Sequence, residues 1–541
     1  MEIIDLIYII SLTAFILAFI YEIKYNLHMF QLNGYKNKVH FIWLQQNMGK
    51  QSVLIIHLIG AILIGLWSVM VIDILLIIGT LIVLSYYYSL NRAKAKKKLV
   101  YTPRIIRLIT TNSVMAVLLI GMLILVGHAF GWNNNWNDKG NGYWQWIILG
   151  ASLICFFEPL LVIIANIINK PIEKGINNHY INDAKRMLKK SPNLLVIGIT
   201  GSYGKTSVKY FLSTLLQAKY NVLITPESYN TPMGVVKTIR SELKPIHDIF
   251  VCEMGARNVG DIKEICDIVH PTHGIITSIG PQHLESFLTI DNIIKTKFEL
   301  ADALPKEGIA FLNGDNEYIL GKDGLNNPNN FIYYSTDNPE AGYRASDIKV
   351  SSKGTEFTVI TPNNEKAQFQ TKLLGSHNVV NIVAAIAVSN SLGIPLEDLT
   401  IPVRRLQPVE HRLQLTQKGG NLTIIDDAYN SNPVGSKAAL DTLSLFDGLR
   451  ILITPGMVEL GSQEDYYNGE FGKQAATRCD YVILVGKKQT ESIRDGLLSA
   501  GFDQSKLYIT DQFDDGIKHA YNIQTDKHKY ILLENDLPDN Y

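Results

Sequence analysis

The first 170 residues contain apolar stretches whose length matches the thickness of a lipid bilayer. Residues 6–21 carry no charged side chain, and residues 51–90 carry only Asp73. A single helix over the second stretch would be about 60 Å long, roughly twice the hydrocarbon thickness of a membrane. We therefore expect two spans there, and two further spans in residues 108–130 and 145–169. The sequence predicts an α-helical membrane domain of about five spans in residues 1–170.

The first apolar stretch has an alternative interpretation as a cleavable signal peptide. A signal peptide begins with basic residues and ends at a cleavage site with small side chains. This chain begins with Glu2 and Asp5, and no such site precedes Lys24. We interpret residues 6–21 as a membrane span.

The distribution of lysine and arginine predicts the orientation of these spans. Seven basic residues lie between the third and fourth spans, six follow the fifth, and the loop at residues 131–144 has only Lys139. Because basic loops stay on the cytoplasmic side, we expect a multi-pass protein with its N-terminus outside and its long C-terminal part in the cytoplasm.

Glu158 lies in the middle of the fifth predicted span and is followed by Pro159. A carboxylate inside a membrane span indicates a functional site by default, and proline kinks a helix. A structural carboxylate paired inside the helix bundle is an equally open alternative.

Overall charge and cysteine content exclude several classes of protein. The chain has 50 Lys+Arg and 50 Asp+Glu residues, so it has no net basic charge to attract nucleic acid, and we expect no nucleic-acid partner. Its four cysteines include no C-x-x-C pair, which argues against a disulfide framework and a thiolate zinc site.

From Ser191 onward, short β-branched runs alternate with helical patterns. This alternation is typical of β-α-β units on a mostly parallel sheet. A second series of the same kind begins after Arg412. We therefore predict a basic linker at residues 171–190 and two α/β domains, at residues 191–412 and 413–541.

The run LLVIGITGSYGKTS reads as a buried strand, a glycine-rich turn and the start of a helix. Gly201 and Gly204 would let backbone N–H groups surround phosphate oxygens, Lys205 would reach the terminal phosphates, and Thr206 would ligate Mg²⁺. The usual G-x-x-x-x-G-K-[ST] pattern has its first glycine where this chain has Ile199. The alternative is a glycine-rich turn with no ligand.

The segment TGSYGKTS resembles the phosphate loop of the Mur ligases, the ATP-dependent amide-forming enzymes of bacterial peptidoglycan precursor synthesis. Further segments follow the order of that family, and of its D-alanyl-D-alanine-adding (MurF) branch in particular: SYNTPMGV, EMGARNVGDI, HLESF, KTKFELADAL, GSHNVVNIVAA, EHRL, DDAYNSNP and GMVELG. The resemblance implies a central P-loop ATPase domain at residues 191–412, a Rossmann-like C-terminal domain at residues 413–541, and a bacterial-type plasma membrane. Five predicted spans stand where the family has a soluble N-terminal domain.

The resemblance also implies which residues bind ATP. They are Gly201, Ser202, Gly204, Lys205, Thr206, Ser207, Asn378, Asn381, Arg412, Asp427, Tyr429 and Asn430. Arg412 matches a linker arginine that neutralises ATP phosphates. For the two asparagines a simple helix cap is the alternative, and for Asp427 a plain turn.

The metal ligands implied by the resemblance are Thr206, Glu253, His283 and Lys297, holding Mg²⁺, with two ions expected. Oxygen ligands suit Mg²⁺. Taken alone, Glu253 would be a surface residue at a strand end and His283 an unassigned loop histidine. Asn230 matches the first Asn of the family's N-N-x-x-G segment, whereas Thr231 departs from it.

Lys297 can be argued from helical periodicity. It lies on the apolar stripe of TIDNIIKTKFELADAL, whereas Lys295 lies off it. A lysine on a buried face is costly unless it is neutralised or paired. The resemblance implies carbamylation of Lys297, which creates a carboxylate for the second Mg²⁺. A lysine that covers apolar surface and extends to water is the alternative.

The implied reaction is ATP-dependent amide synthesis through an acyl phosphate, with Lys205, Lys297, His283 and Arg412 in catalytic roles. The partners would be the bilayer, ATP, a carboxylate acceptor that the spans suggest is lipid-linked, and an amino acid or D-alanyl-D-alanine-type amine. Two alternatives are a nucleotide-binding membrane sensor or scaffold, and a transporter driven by the P-loop domain.

Overall fold

The computed structural model describes most of the chain. The described residues are 3–47, 98–129, 142–321, 330–429 and 431–536. The two spans predicted in residues 51–90, most of the loop at residues 131–144, and Asn430 lie outside these ranges.

The chain divides into two compact units, one ending at Asn178 and one beginning at His179. The described helices of the first unit are α1 (Ile3–Leu32), α2 (Asn37–Gln46), α3 (Pro103–Ala129) and α4 (Gly142–Lys189). Helices α1, α3 and α4 cover the first, fourth and fifth predicted spans. The segment predicted as a basic linker is mostly helical, because α4 continues to Lys189.

Two helical stretches of the described residues, Pro103–Val126 and Leu153–Lys189, are long and apolar enough to cross a membrane. Helices α1, α3 and α4 share a small apolar core formed by Ile23, Leu27, Phe30, Ile105, Leu108, Val162 and Ala165.

The second unit contains two sheets. The first has nine strands in the order β2-β3-β1-β4-β5-β6-β7-β8-β9, parallel from β2 to β7. Its strands are β1 (Leu195–Thr200), β2 (Val222–Ile224), β3 (Ile249–Glu253), β4 (His273–Ile276), β5 (Ile309–Asn313), β6 (Phe331–Ser335), β7 (Tyr343–Ser351), β8 (Gly354–Ile360) and β9 (Lys366–Thr371). The predicted mostly parallel sheet is confirmed.

Helices cover both faces of this sheet. They are α5 (Lys205–Leu216), α6 (Pro232–Glu242), α7 (Asp261–Val269), α8 (Leu284–Phe287), α9 (Ile290–Asp302), α10 (Glu317–Leu320), α11 (Ser376–Ser391) and α12 (Thr400–Arg404). Helices α5 and α11 pack on one face of the sheet, and α6, α7 and α9 on the other. Because both faces are covered, the central strands are apolar up to their last residue, as in β1, which ends in Thr200, and β3, which ends in Glu253.

The antiparallel hairpins β7–β8 and β8–β9 at the sheet edge were not anticipated from the sequence. In β7 buried and exposed side chains alternate after Tyr343, so this strand lacks the continuous apolar run of the central strands. A strand with one solvated face shows such alternation rather than a β-branched run.

The second sheet has six strands in the order β10-β11-β15-β12-β13-β14, and all neighbours are parallel except β10 and β11. The strands are β10 (Gln414–Gln417), β11 (Leu422–Asp427), β12 (Leu449–Thr454), β13 (Tyr481–Val485), β14 (Leu507–Thr510) and β15 (Lys529–Glu534), and the helices are α13 (Pro433–Leu443), α14 (Glu464–Ala476), α15 (Glu491–Ser499) and α16 (Phe513–Asn522). Apolar clusters on the two sides of this sheet complete a second α/β domain.

Two loops that carry family segments lead directly into capped helices. Thr231 accepts a hydrogen bond from Gly234 N at the start of α6, and Asn432 accepts one from Gly435 N at the start of α13. In both helices proline occupies the first turn, where its missing N–H has no cost. The residues before each cap are thereby held at the carboxyl edge of the sheet.

Helices α14 and α15 pack closely together at Gly472 of α14. A Cβ atom at Gly472 would lie 2.2 Å from the carbonyl oxygen of Ile493, whereas one at Gly469 would meet nothing closer than 3.7 Å. We predict that Gly472→Ala destabilises the C-terminal domain by about 1–3 kcal/mol, because the helices must separate. Gly469→Ala is the control, and we expect it to be neutral or stabilising by up to about 1 kcal/mol. Thermal unfolding of both variants checks this, and equal effects would contradict it.

Candidate active site

The phosphate loop runs from the end of β1 to the start of α5. Gly201 has φ +152°, and a Cβ atom there would lie 2.1 Å from Thr277 Oγ1. Gly204 has φ +80° and immediately precedes the first residue of α5. Both positions require glycine, because a side chain would be strained or would collide with the neighbouring strand end. The loop therefore holds backbone N–H groups at the positive end of a buried helix.

Lys205 folds back over this loop. Its Nζ donates hydrogen bonds to the carbonyl oxygens of Gly201 (2.6 Å) and Ser202 (3.0 Å). Burial lowers the pKa of Lys205 to about 8, opposed by the charge of Glu253 and reinforced by that of Arg412. An anion bound in the loop would raise this pKa again and favour the charged lysine.

Glu253 is the centre of the polar contacts beside the loop, at the end of β3 where it was predicted. The residue is 1% exposed. Its Oε1 accepts hydrogen bonds from Thr206 Oγ1 (3.2 Å) and Asn230 Nδ2 (3.1 Å). Its Oε2 forms an ion pair with Lys209 Nζ at 3.0 Å. The predicted metal ligands Thr206 and Glu253 are thus in contact.

Lys209 was not identified from the sequence, although it is fully buried on α5. It follows Lys205 by one helical turn and lies beside apolar residues of the same helix face. The cost of burying a lysine is a signal that could have found it, because such a lysine needs an anionic partner. That partner is Glu253.

The donor set around Glu253 fits Mg²⁺ better than a softer metal. Within the described ranges, no group of three or more His, Cys, Asp and Glu side chains is arranged to hold a metal. One carboxylate and one threonine hydroxyl beside a phosphate loop are the protein ligands that Mg²⁺ uses when phosphates and water complete its shell. The structure does not bring Glu253 and His283 together in a single ligand cluster.

His283 contacts the C-terminal domain. Its Nδ1 donates a hydrogen bond to Glu459 Oε2, and Arg257 Nη2 lies 3.5 Å from Glu459 Oε1. His283 and Glu459 have positive φ values of 54° and 64°, which are strained for residues with side chains. Residues from three family segments therefore meet at the Glu459 carboxylate, namely the segments EMGARN, HLESF and GMVELG. Burial lowers the pKa of His283, so its ring is neutral near pH 7.

The family segment GMVELG contains Glu459, but the sequence analysis assigned that glutamate no role. Its partner His283 lies 176 positions earlier in the chain. A carboxylate on Nδ1 fixes the histidine tautomer and leaves the Nε2 lone pair free for a metal, which is the usual arrangement around metal-binding histidines.

Lys297 is buried, as helical periodicity predicted, and Lys295 is exposed. Its Nζ lies 5.9 Å from the centre of the Phe287 ring, and within the described part of the chain it has no hydrogen-bond or ion-pair partner. Burial lowers its pKa well below the usual value, and the charge of Lys205 adds to this. Burial therefore favours the neutral amine, which is the form that reacts with CO₂.

A cavity of about 740 Å³ adjoins the phosphate loop. Its walls come from the loop, α11, the segment before β10, and α13. Asn381 approaches the loop closely, since a Cβ atom at Gly204 would lie 2.6 Å from its Oδ1. Asn378 also lines the cavity, and its Nδ2 donates to the carbonyl oxygen of Leu374 (2.8 Å). Ser207 is buried on the cavity wall.

Arg412 and Asp427 line the same cavity. The Arg412 guanidinium lies 4.7 Å from the centre of the Tyr429 ring. Asp427 accepts a hydrogen bond from Leu413 N (3.2 Å), and burial raises its pKa to about 6, opposed by the charge of Arg412. The ring of Tyr429 is half-exposed, so it presents a free face. Arg412 and Asp427 thus place one cation and one carboxylate on the cavity wall, with the Tyr429 ring beside Arg412.

Glu534 is another carboxylate on the cavity wall, and sequence reasoning missed it. It ends β15, is 1% exposed, and accepts hydrogen bonds from Ser431 Oγ and from Thr454 Oγ1 (3.3 Å). Burial raises its pKa to about 8, and the charge of Asp427 adds to this. Its position at the carboxyl end of a parallel strand was the available signal.

Comparison with known proteins shows the family to which this chain belongs. The cavity beside a phosphate loop on a parallel sheet is typical of nucleotide-binding α/β proteins. Family models match residues 199–389, as Mur ligase middle domain, and residues 411–534, as Mur ligase, glutamate ligase domain. The UDP-N-acetylmuramoyl-tripeptide--D-alanyl-D-alanine ligase of Escherichia coli is 33% identical over 294 residues, covering 54% of this chain and 65% of that protein.

The ligase of the same name from Buchnera aphidicola subsp. Acyrthosiphon pisum is 30% identical, covering 56% of this chain and 67% of that protein. A crystal structure of MurF from Acinetobacter baumannii matches with a TM-score of 0.61 at 25% identity, covering 66% of this chain and 77% of that chain. This chain belongs to the Mur ligase family. It spans about two thirds of the length of these relatives, just under that fraction for the Escherichia coli protein.

The raised pKa of Glu534 predicts a pH dependence of stability. An acid that is neutral in the folded state contributes stability below its unfolded pKa of 4.5, and this contribution is lost as the pH rises to about 8. Glu534→Gln imitates the protonated acid. We therefore expect the Tm of the C-terminal domain to fall less between pH 5 and pH 8 in Glu534→Gln than in the unaltered protein.

Thermal unfolding across this pH range measures the difference. Glu307→Gln, which changes an exposed glutamate before β5, is the control and should follow the unaltered protein. Parallel Tm profiles for Glu534→Gln and the unaltered protein would show that Glu534 does not hold a proton in the fold.

Proposed function

We propose that this protein is an ATP-dependent ligase of the MurF type that acts in peptidoglycan precursor synthesis at a membrane. It would join the carboxylate of a muramoyl peptide acceptor to the amine of an amino acid or of D-alanyl-D-alanine. The observation that carries this proposal is the set of contacts at Glu253, which joins Thr206 of the phosphate loop to two further polar residues. Such a set serves phosphoryl transfer, where catalysis rests on positioning and on neutralising charge.

The proposed reaction has two steps. The terminal phosphate of ATP passes to the acceptor carboxylate, which gives an acyl phosphate and ADP. The amine then attacks the acyl carbon, and the tetrahedral intermediate expels inorganic phosphate and loses a proton to form the amide. Neither of these steps uses a side chain of the protein as a nucleophile.

Each predicted site residue has a place in this scheme. Lys205 and the N–H groups of its loop hold the β- and γ-phosphates, and Arg412 approaches the phosphates from the opposite wall. Tyr429 offers a ring face for stacking, and Asp427 an acceptor for a ribose hydroxyl. Bound Mg²⁺ would neutralise developing charge on the transferred phosphoryl group.

Thr206 and Glu253 would hold the first Mg²⁺. We further propose that Lys297 is carbamylated: its neutral amine forms an N–C bond to CO₂ and releases one proton to solvent. The resulting carboxylate and His283 would hold a second ion. The charge of Lys205 acts on both Lys297 and His283, which supports their placement around one reaction centre.

Membrane association is supported by the distribution of side chains in the N-terminal unit. Large apolar side chains are exposed along α3 and α4, among them Ile106, Val114, Val117, Leu118, Met122, Leu125, Phe157, Leu160, Ile164, Ile167, Ile168 and Ile172. In contrast, Asn26, Asn112 and Glu158 are buried between the helices. This is the reverse of the usual arrangement in a water-soluble domain, and it suits a bilayer. We propose a multi-pass plasma-membrane protein whose α/β domains face the cytoplasm, acting on a lipid-linked acceptor.

Phosphate release by the detergent-solubilised full chain with ATP and Mg²⁺ tests the ligase proposal. The amines supplied are D-amino acids, L-amino acids and D-alanyl-D-alanine, and the acceptors are soluble muramoyl peptides or an envelope lipid extract. Release that requires both an amine and an acceptor supports the ligase, and the productive acceptor shows whether it is lipid-linked. ATP binding without release under any combination would favour a nucleotide sensor and overturn the proposal.

We predict that Lys205→Ala lowers turnover by at least about a hundredfold, because the transferred phosphate loses its cationic partner. Lys219→Ala is the matched control, since Lys219 follows α5 and bonds the carbonyl oxygen of Gly393 outside the cavity. Steady-state phosphate release measures both variants. Full activity of Lys205→Ala would refute the assignment of the loop as a phosphate site.

Glu459→Gln tests the contact that orients His283. We expect the Mg²⁺ concentration for half-maximal turnover to rise about 10- to 100-fold, the usual effect of removing a carboxylate that orients a metal-binding histidine. Glu464→Gln alters a carboxylate that instead bonds Gln489, and its Mg²⁺ dependence should be unchanged. An unaltered Mg²⁺ dependence in Glu459→Gln would contradict a role for His283 at the metal.

A further inference from the structure

Two buried asparagines of the N-terminal unit meet at Glu158, which the ligase proposal leaves without a role. Glu158 on α4 is 0% exposed. It accepts hydrogen bonds from Asn26 Nδ2 on α1 and from Asn112 Nδ2 on α3, the latter at 3.3 Å. One polar side chain from each of three helices therefore converges on a single point.

A second carboxylate belongs to this cluster. Glu22 lies one helical turn before Asn26 on α1 and is 0% exposed. The charges of Glu22 and Glu158 act on each other, and both act on the thiol of Cys155. These three are the titratable groups that face the cluster from the described parts of α1 and α4, and α3 contributes the neutral Asn112.

The two asparagines offer oxygen atoms that the protein does not use. Asn26 is 2% exposed and Asn112 is 0% exposed. Their amide nitrogens bond Glu158, but Oδ1 of each is buried and has no hydrogen-bond partner among the described residues. A buried amide oxygen without a donor costs about 1–3 kcal/mol, so two of them beside a carboxylate indicate a missing positive partner.

Glu158 likewise has no cationic neighbour within the part of the chain that the structure describes, because its only bonds are to the two amides. The helices that carry the cluster expose apolar side chains on their outer surfaces. Charge is costly in such surroundings unless it is paired or neutralised. Two carboxylates in one buried site do not readily ionise together, so at most one negative charge remains there to be compensated.

We propose that Glu22, Asn26, Asn112 and Glu158 form a binding site for a small monovalent cation inside the N-terminal unit. Carboxylate and amide carbonyl oxygens are hard ligands suited to an alkali metal ion, and they suit a proton as well. One such cation neutralises the remaining charge and satisfies the two amide oxygens. This inference goes beyond the ligase proposal and does not depend on it.

The distribution of tryptophan provides a selective measurement. All six tryptophans, at positions 43, 67, 132, 136, 144 and 146, precede the α/β domains. Trp43 packs against His40, with ring centroids 5.5 Å apart, in the same unit as the cluster. Tryptophan fluorescence of the full chain in detergent or nanodiscs therefore reports on the N-terminal unit alone, without ATP or any ligase substrate.

The experiment titrates the full chain with NaCl, LiCl or KCl at constant pH, using choline chloride to keep the ionic strength constant. A parallel titration varies pH in choline chloride alone. We expect a saturable fluorescence change with an alkali cation or with protons, and the arm that responds identifies the cation. We expect Glu158→Gln to weaken the apparent affinity by at least about tenfold, as loss of a ligand commonly does.

Thr111→Val is the matched control. Thr111 precedes Asn112 on α3, and its Oγ1 donates to Asn169 Oδ1 (2.9 Å), away from the cluster. This variant should respond as the unaltered protein does. Asn112→Ala keeps both carboxylates and should also bind more weakly, so the test does not depend on the folding of Glu158→Gln. No saturable response to any alkali cation or to protons, a response to divalent cations alone, or an unchanged response in both cluster variants would overturn the proposal.

Discussion

The contacts of the Glu253 carboxylate are the interaction on which the candidate active site depends. One oxygen accepts hydrogen bonds from Thr206, next to the phosphate loop, and from Asn230 of the loop before α6. The other oxygen forms an ion pair with Lys209 in α5. The carboxylate thus connects the end of β3 to two positions on α5 and to the loop before α6. Lys209 has no exposure to water. Without Glu253 it would be an unpaired buried charge, one of the most destabilising changes that a core can undergo.

The cost of burying charge also organises the rest of the site. The pKa of Lys205 falls to about 8, that of Lys297 falls well below its usual value, and that of Glu534 rises to about 8, in each case chiefly through burial. Because burial disfavours the charged form of each of these groups, a ligand that enters the cavity can shift their protonation. Such perturbed groups cluster at functional sites because fold stability alone would select against them.

Polar and apolar side chains are distributed differently in the two units of the chain. In the α/β unit, apolar strands and helix faces are buried, and the polar groups gather at the carboxyl edge of the sheets. In the N-terminal unit, Glu158 and its amide partners are buried while large apolar side chains on α3 and α4 are exposed. The first arrangement follows from the hydrophobic effect in water. The second is the arrangement expected where the surrounding medium is itself apolar.

The sequence by itself determined the features that depend on local order. Periodicity of 3.6 residues identified Lys297 as buried and Lys295 as exposed, and a glycine-rich turn between a strand and a helix was read correctly at residues 201–204. Apolar β-branched runs identified most of the parallel strands of both α/β domains, although β6 was not among them. The strand β7, which alternates in burial and begins the antiparallel part of the sheet, was missed because it has no such run.

Only the tertiary structure decided the pairs that join distant parts of the chain. These are Lys209 with Glu253, His283 with Glu459, and the cluster at Glu158. A local pattern reports which face of a helix or strand is buried. It carries no information about which other element lies against that face, because that choice depends on how all elements pack together.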